Sequence, residues 1–256
     1  MNTDKVIEIE HLSYDYPDGT PALREIDLVI YRHESVAILG PNGAGKSTLL
    51  YHLNGMLMGD GKVTILGLPV EKKNLKEIRR KVGLVFQSPE DQLFCPTVFD
   101  DVAFGPLNMG LGEEKVRQRV ERALDMMGLK GFEGRSAHHL SEGEKKRVAL
   151  ATVLSLDSEI LALDEPTDNL DPTGNRMLIG RIQLIPQTKV IVTHHLPVAV
   201  DLCERAVLFY GGRKVDDLPM EDLLKNREAL ERFGFDADFA QWMYERNVKF
   251  QSSKFK

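Results

Sequence analysis

The run Gly40-Pro41-Asn42-Gly43-Ala44-Gly45-Lys46-Ser47-Thr48 constrains this chain more than any other stretch. It follows Ser35-Val36-Ala37-Ile38-Leu39, an apolar run that reads as a buried strand. It opens into residues 46–54, where Leu49, Leu50 and Leu53 recur at helical spacing. Strand, glycine loop and helix together make a phosphate cradle. Gly40, Gly43 and Gly45 let the backbone turn tightly and aim successive N–H groups inward, while the helix end adds a positive pole of about half an elementary charge. Lys46 is placed to reach the terminal phosphates of a nucleoside triphosphate, and the Ser47 hydroxyl to coordinate the Mg2+ that accompanies them. Pro41, Asn42, Ala44 and Thr48 complete the nucleotide-binding loop. The loop alone says nothing of what the nucleotide is used for.

At 256 residues the chain suffices for one large domain or two small ones with a substantial core. A net charge of −6 and a pI near 5.7, with no dominant basic block, argue against nucleic-acid binding as the main task. Cys95 and Cys203 are far apart and lack Cys-x-x-Cys spacing, so no disulfide framework is expected and a reducing cytoplasm fits. The pairs His138-His139 and His194-His195 are adjacent rather than four apart, which does not set two ligands on one helical face. Neither pair is expected to bind a metal. The polar start, Met1 to Lys5, lacks a signal-peptide core, and no apolar run approaches the roughly 20 residues of a spanning helix.

Val6 to Leu12 and Ile26 to Ile30 alternate apolar and polar residues, as two half-buried strands of an antiparallel layer would. Between them, Tyr14-Asp15-Tyr16-Pro17-Asp18-Gly19 is turn-rich. Tyr16 either stacks on a purine ring or packs on the strand layer, and its residue type suits both. Further strands are expected at 61–65 and 82–86, the second ending at Gln87-Ser88-Pro89. Gln87 is either a capping amide or, beside a phosphate site, a ligand of Mg2+ or an orienter of water. Residues 91–110 read as irregular, broken by Pro96, Gly105 and Pro106. Their many apolar residues, Phe94 and Phe104 among them, suggest a contact surface or an inter-lobe packing face. A helix is expected over 113–127, ended by Gly128. Ser141 and Glu144 form a capping box ahead of Lys145-Lys146-Arg147, which by itself means only a helix start.

Glu159 to Leu163 is a continuous apolar strand ending in Asp164-Glu165-Pro166-Thr167. Two adjacent carboxylates at the tip of a buried strand must be paired or desolvated, which is hard to explain structurally. Beside a phosphate loop, Asp164 would hold Mg2+ and Glu165 would act as general base on the attacking water. A strand at 189–192 ends at Thr193-His194, the sheet edge where open α/β folds bind ligands, which favours a functional His194. Residues 205–215 read as a hairpin turning at Gly211-Gly212. Beyond Pro219 the chain is helical and amphipathic, with Leu223, Leu224, Leu230 and Phe233, then Phe235, Phe239, Trp242 and Met243. Most of these are expected to pack on the chain itself, with an association face as the alternative. Lys249, Lys254 and Lys256 read as a frayed basic tail.

Over residues 5–216 these segments resemble the ATP-binding-cassette ATPases. The motifs are Gly40 to Ser47, Gln87, Leu140-Ser141-x-Gly143-Glu144, Leu163 to Thr167, Asn169-Leu170-Asp171 and His194, in the family's order. The resemblance implies an α/β fold: a P-loop NTPase (RecA-like) core with a mostly parallel sheet, an N-terminal antiparallel β layer and an inserted α-helical subdomain at about 90–157. It implies a cassette over 1–218 with a short C-terminal helical extension over 219–256. It further implies that two cassettes face head to tail, with ATP and Mg2+ between the glycine loop of one and the Ser141, Gly143 and Glu144 segment of the other. Tyr16 then stacks on adenine, Gln87 couples the site to a membrane partner, Glu165 is the catalytic base and His194 contacts the γ-phosphate.

Phe86 to Phe94 and Asp101 to Pro106 are similar to the energy-coupling-factor branch, whose cassettes drive uptake of vitamins or of cobalt and nickel through a transmembrane coupling protein. A peripheral place on the cytoplasmic face of the membrane follows, with a substrate-binding membrane component, a second cassette as homodimer or related subunit, and cobalt or nickel as the solute. The alternatives are a vitamin importer, another transporter type and a soluble ATP-driven assembly factor. Only 53 residues separate Gln87 from Ser141, too few for a repair-type coiled-coil insertion. Three departures stand out. Glu142 occupies a usual glycine position and is expected to point away from nucleotide, Asp168 replaces a small residue, and His195 stands where an acid is common, leaving open which imidazole faces the phosphate.

Overall fold

The computed structural model describes residues 4–253, with side chains described up to residue 245. A four-stranded antiparallel sheet joins β1 (Lys5–Asp15), β2 (Pro21–Tyr31), β4 (Asp60–Ile65) and β5 (Leu68–Pro69) in the order β2-β1-β4-β5. A six-stranded sheet carries β3 (Ser35–Leu39), β6 (Val82–Val85), β7 (Ile160–Asp164), β8 (Thr188–Val192), β9 (Arg205–Tyr210) and β10 (Arg213–Pro219) in the order β10-β9-β3-β8-β7-β6. Five of its strands run parallel, and only the edge strand β10 is antiparallel.

The continuous apolar runs of the central strands follow from burial on both faces. Val36 and Ile38 of β3 join one buried cluster with the antiparallel sheet and with Leu49, Leu50 and Leu53 of α1 (Lys46–Leu53). Ala37 and Leu39 of the same strand point the other way, into a second cluster built with helices. Those helices are α3 (Val98–Asn108), α4 (Glu113–Met126), α5 (Glu142–Leu154), α6 (Pro172–Gln183) and α7 (Leu196–Leu202). A short α2 (Leu75–Lys81) precedes β6.

The expected irregularity of 91–110 is wrong beyond Pro96, because α3 runs straight through Gly105 and Pro106. Pro106 has no N–H for the Val102 carbonyl, and the Ser155 hydroxyl donates to that carbonyl instead, at 2.8 Å. Gly105 admits Leu156, which would stand 2.3 Å from any Cβ there. Thr97 caps the helix and also donates to Asp100, while buried Asp101 accepts from the N–H groups of Phe94 and Cys95 at 3.0 and 2.9 Å. Leu93, Val98 and Val102 are buried and Phe99 half-buried against the same core, whereas Phe94, Phe104 and Leu107 are exposed, the two rings of Phe94 and Phe104 edge to face at 5.1 Å.

β1 extends to Asp15, so Tyr14 lies in the strand and the turn begins at Tyr16. β10 continues past Val215 to Pro219, with an irregularity between Lys214 and Asp216. After it come α8 (Met220–Lys225), α9 (Arg227–Arg232) and α10 (Ala237–Ser253). Met220, Leu223, Leu224, Leu230, Ala240 and Met243 join the helical cluster of the main body. Phe239 and Trp242 stay on the surface, stacked at 5.6 Å. Lys249, read as part of a frayed tail, is helical in α10, and Lys254 and Lys256 lie outside the described residues. Among the described residues no helix is long and apolar enough to cross a membrane.

Candidate functional site: a nucleotide cavity at the carboxyl ends of the central strands

The loop after β3 turns where only glycine fits. Gly45 has φ +93° and a Cβ there would meet the Ala22 carbonyl oxygen at 2.4 Å, while at Gly40 it would meet the Phe209 carbonyl oxygen at 2.2 Å. Gly45 is also the N-cap of α1, and no side chain caps the helix. The first-turn N–H groups are therefore left for an external acceptor. The Lys46 ammonium donates to the Gly40 and Pro41 carbonyls at 2.8 and 2.9 Å, and burial lowers its pKa.

A cavity of about 630 Å3 opens over the loop. Asn42, Gly43 and Gly45 to Thr48 line it together with Tyr16, Gln87, Glu165, Asp168 and His194. Tyr14 packs on the strand-layer cluster, whereas Tyr16 faces the cavity with its hydroxyl 2.9 Å from Thr48 Oγ1. Asp164 sits behind Ser47, whose hydroxyl donates to it at 3.0 Å, and burial raises its pKa. Tyr51 also reaches Asp164, at 3.5 Å, and burial pushes its phenol up to about 12.

Asp164 and Glu165 are 1% and 5% exposed, so two acidic side chains stand side by side out of water. The Asp164 carboxylate and the Ser47 hydroxyl 3.0 Å from it are hard oxygen donors that suit Mg2+ and not a soft ion. Glu165 adopts φ +42°, a strained value for a side-chain-bearing residue. It is held there by its N–H to Val192 at 2.9 Å and by Lys146, which donates to its carbonyl at 3.1 Å. The Glu165 carboxylate lies 2.7 Å from His194 Nδ1. His194 is thus the imidazole in the cavity, and His195 leans against its outer side with ring centres 3.9 Å apart.

Lys146 reads in the sequence as one of three basic residues on a helix, with no local mark of a site residue. It is buried, burial lowers its pKa, and its ammonium also donates to the Gln87 carbonyl at 3.0 Å. The Gln87 amide donates to Asp168 at 3.0 Å. Glu142 lines a separate groove of about 500 Å3 beside Gln87 and Glu90. Glu90 pairs with Lys145 at 2.6 Å, which holds its carboxyl at about 2. Ser141, Gly143 and Glu144 do not line the cavity. Ser141 forms the expected capping box: its hydroxyl accepts from the Glu144 N–H, and the Glu144 carboxylate accepts from the Ser141 N–H at 2.8 Å.

The ABC transporter family model matches residues 23–168. The chain is a member of the ABC transporter family. It is 46% identical over 233 residues to the energy-coupling factor transporter ATP-binding protein EcfA of Methanothermobacter thermautotrophicus, covering 89% of this chain and 75% of that one. It is 42% identical over 233 residues to EcfA of Methanocaldococcus jannaschii, covering 89% and 84%. Among solved structures, CbiO1 of Clostridium perfringens, described as part of the ABC transporter complex CbiONQ, superposes with a TM-score of 0.79 at 36% identity over 90% of this chain and 94% of that one. This cassette is an ATPase that takes ATP together with Mg2+.

Proposed function

We propose that the chain is the ATP-hydrolysing subunit of an energy-coupling-factor type importer, that it works at the membrane with a transmembrane coupling protein and a substrate-binding membrane component, and that the solute is cobalt or nickel. The likeness to CbiO1 over nearly the whole of both chains carries this reading. In it, residues 1–218 are the cassette, 90–157 its helical subdomain and 219–256 an extension whose Phe239 and Trp242 help pair it with a second cassette. The exposed Phe94, Phe104 and Leu107 supply an apolar face for the coupling protein on the segment that follows Gln87.

In the chemistry proposed, Tyr16 stacks on adenine, the loop N–H groups and Lys46 hold the phosphates, and Ser47, Asp164 and Gln87 hold Mg2+. When bound, Mg2+ neutralises charge on the phosphate oxygens as the terminal group leaves. Glu165 takes the proton of a water whose oxygen bonds to the γ-phosphorus while the bond to the β-phosphate oxygen breaks, giving ADP and phosphate. His194, fixed through Nδ1 by Glu165, turns its other nitrogen to the γ-phosphate. Ser141 and Gly143 of a second cassette close the site from the other side. Glu165→Gln protein held in Mg-ATP is expected to co-purify with integral membrane proteins and, in cells, to abolish uptake of labelled cobalt or nickel. Capture of no membrane protein, or unchanged metal uptake, contradicts the reading.

A further inference from the structure

His194, His195 and Asp168 each offer one ligand atom, and the three atoms lie within 4.8 Å of one another. The adjacency of the two histidines argues against a metal only if they lie on a helix. They do not: His195 is the extended residue ahead of α7, at φ −94° and ψ 102°, so the two rings come off a bend. A four-coordinate ion with bonds of about 2.0–2.1 Å needs its donors about 3.3 Å apart. Donors up to 4.8 Å apart must therefore close by about 1.5 Å, and His195, whose side chain is exposed, is the ligand with room to move.

The donors are also supported from behind, as metal ligands are. Glu165 engages His194 Nδ1 at 2.7 Å, which leaves Nε2 for an ion. Asp168 is held by the Gln87 amide at 3.0 Å and by the Asn169 N–H and side-chain amide at 3.1 and 3.2 Å. Two imidazoles and one carboxylate suit a divalent first-row transition ion such as Zn2+, Co2+ or Ni2+, whereas Mg2+ prefers the oxygen donors of Asp164 and Ser47.

We infer that His194, His195 and Asp168 form a second, inhibitory site for a divalent transition ion, which competes with the γ-phosphate for His194. An ion there holds His194 and Asp168, and through Asp168 the Gln87 amide. A cassette so loaded cannot close on ATP in the manner proposed above. The competition rests on His194 facing the γ-phosphate; ion binding does not.

Titration of the full-length, nucleotide-free chain with Co2+, followed by visible absorption, separates the two. A saturable imidazole-type spectrum is expected, with affinity lowered about 10–100-fold or more in His195→Ala and in His195→Asn, the second guarding against a folding defect in the first. Binding of equal strength in wild type and both variants, no binding, or an oxygen-only spectrum overturns the site. Mg-ATP is then expected to remove the spectrum from wild type but not from Lys46→Ala, a control for chelation by ATP in solution. Equal loss from both proteins, or from neither, overturns the competition while leaving the site standing.

Discussion

The amino ends of α1 and α5 both carry motif residues of the ATPase, yet they are built in opposite ways. α1 starts at a left-handed glycine, has no side-chain cap and no acid in its first turn, and points Lys46 and Ser47 at the cavity. α5 starts at a capping box with Glu142 and Glu144 in its first turn, so the Glu144 N–H is already satisfied by the Ser141 hydroxyl and the Ser141 N–H by the Glu144 carboxylate. One end has no side-chain acceptor at all, and the other is partly capped by its own residues. In the proposed pairing α1 therefore supplies the affinity for nucleotide. α5 supplies the weaker contact that decides whether two cassettes stay closed, because a phosphate reaching Ser141 must displace Glu144 from its hydroxyl, now at 2.8 Å.

The largest expected effects fall on α1. Lys46→Ala should weaken ATP binding about 10–100-fold, the worth of a charged hydrogen bond, by calorimetric titration. Gly45→Ala should cost about 2 kcal/mol or more in urea unfolding, since it forces a side chain into the left-handed region against the Ala22 carbonyl. The corresponding Ser141→Ala should cost only about 1 kcal/mol, the worth of a cap, and should leave ATP binding by the single chain unchanged.

Gly143 sharpens the contrast. A Cβ there meets nothing nearer than Leu170 Cδ2 at 3.8 Å, so the chain's own fold does not require glycine. Gly143→Ala should raise stability by up to about 1 kcal/mol through helix propensity, while weakening ATP-driven pairing measured by sedimentation. A variant that lost stability would show that the glycine serves this fold and not a partner.

The smallest effect is one of pH. Bonds from the Ser141 N–H and hydroxyl lower the Glu144 pKa below its ordinary 4.5. A depressed carboxyl contributes stability in full above that value and loses it as pH falls through the folded-state pKa. The acid limb of thermal stability should therefore shift slightly to lower steepness in Glu144→Gln, measured by melting between neutral pH and about pH 3.

Much of this was readable in the residues because it is local. The glycine loop between a buried strand and a helix, the Ser141 box and the carboxylate tip of β7 each declare themselves within ten residues or so. What escaped is held together by distant parts of the chain. α3 survives its proline because Ser155, on the residue after α5, replaces the missing bond, although Thr97-x-x-Asp100 marked the helix start in the sequence. Lys146 joins Gln87 to Glu165 across 59 and 19 residues, which no local pattern encodes. Asp168 meets His194 and His195 only because β7 and β8 are neighbours in the sheet.

Sedimentation velocity of the Glu165→Gln chain, with and without saturating Mg-ATP, tests the head-to-tail pairing most directly. A dimer that forms only with Mg-ATP, and that dissociates when Ser141→Ala is added, is the expected result. A chain that stays monomeric with bound nucleotide, or a dimer indifferent to both ATP and Ser141, would contradict it.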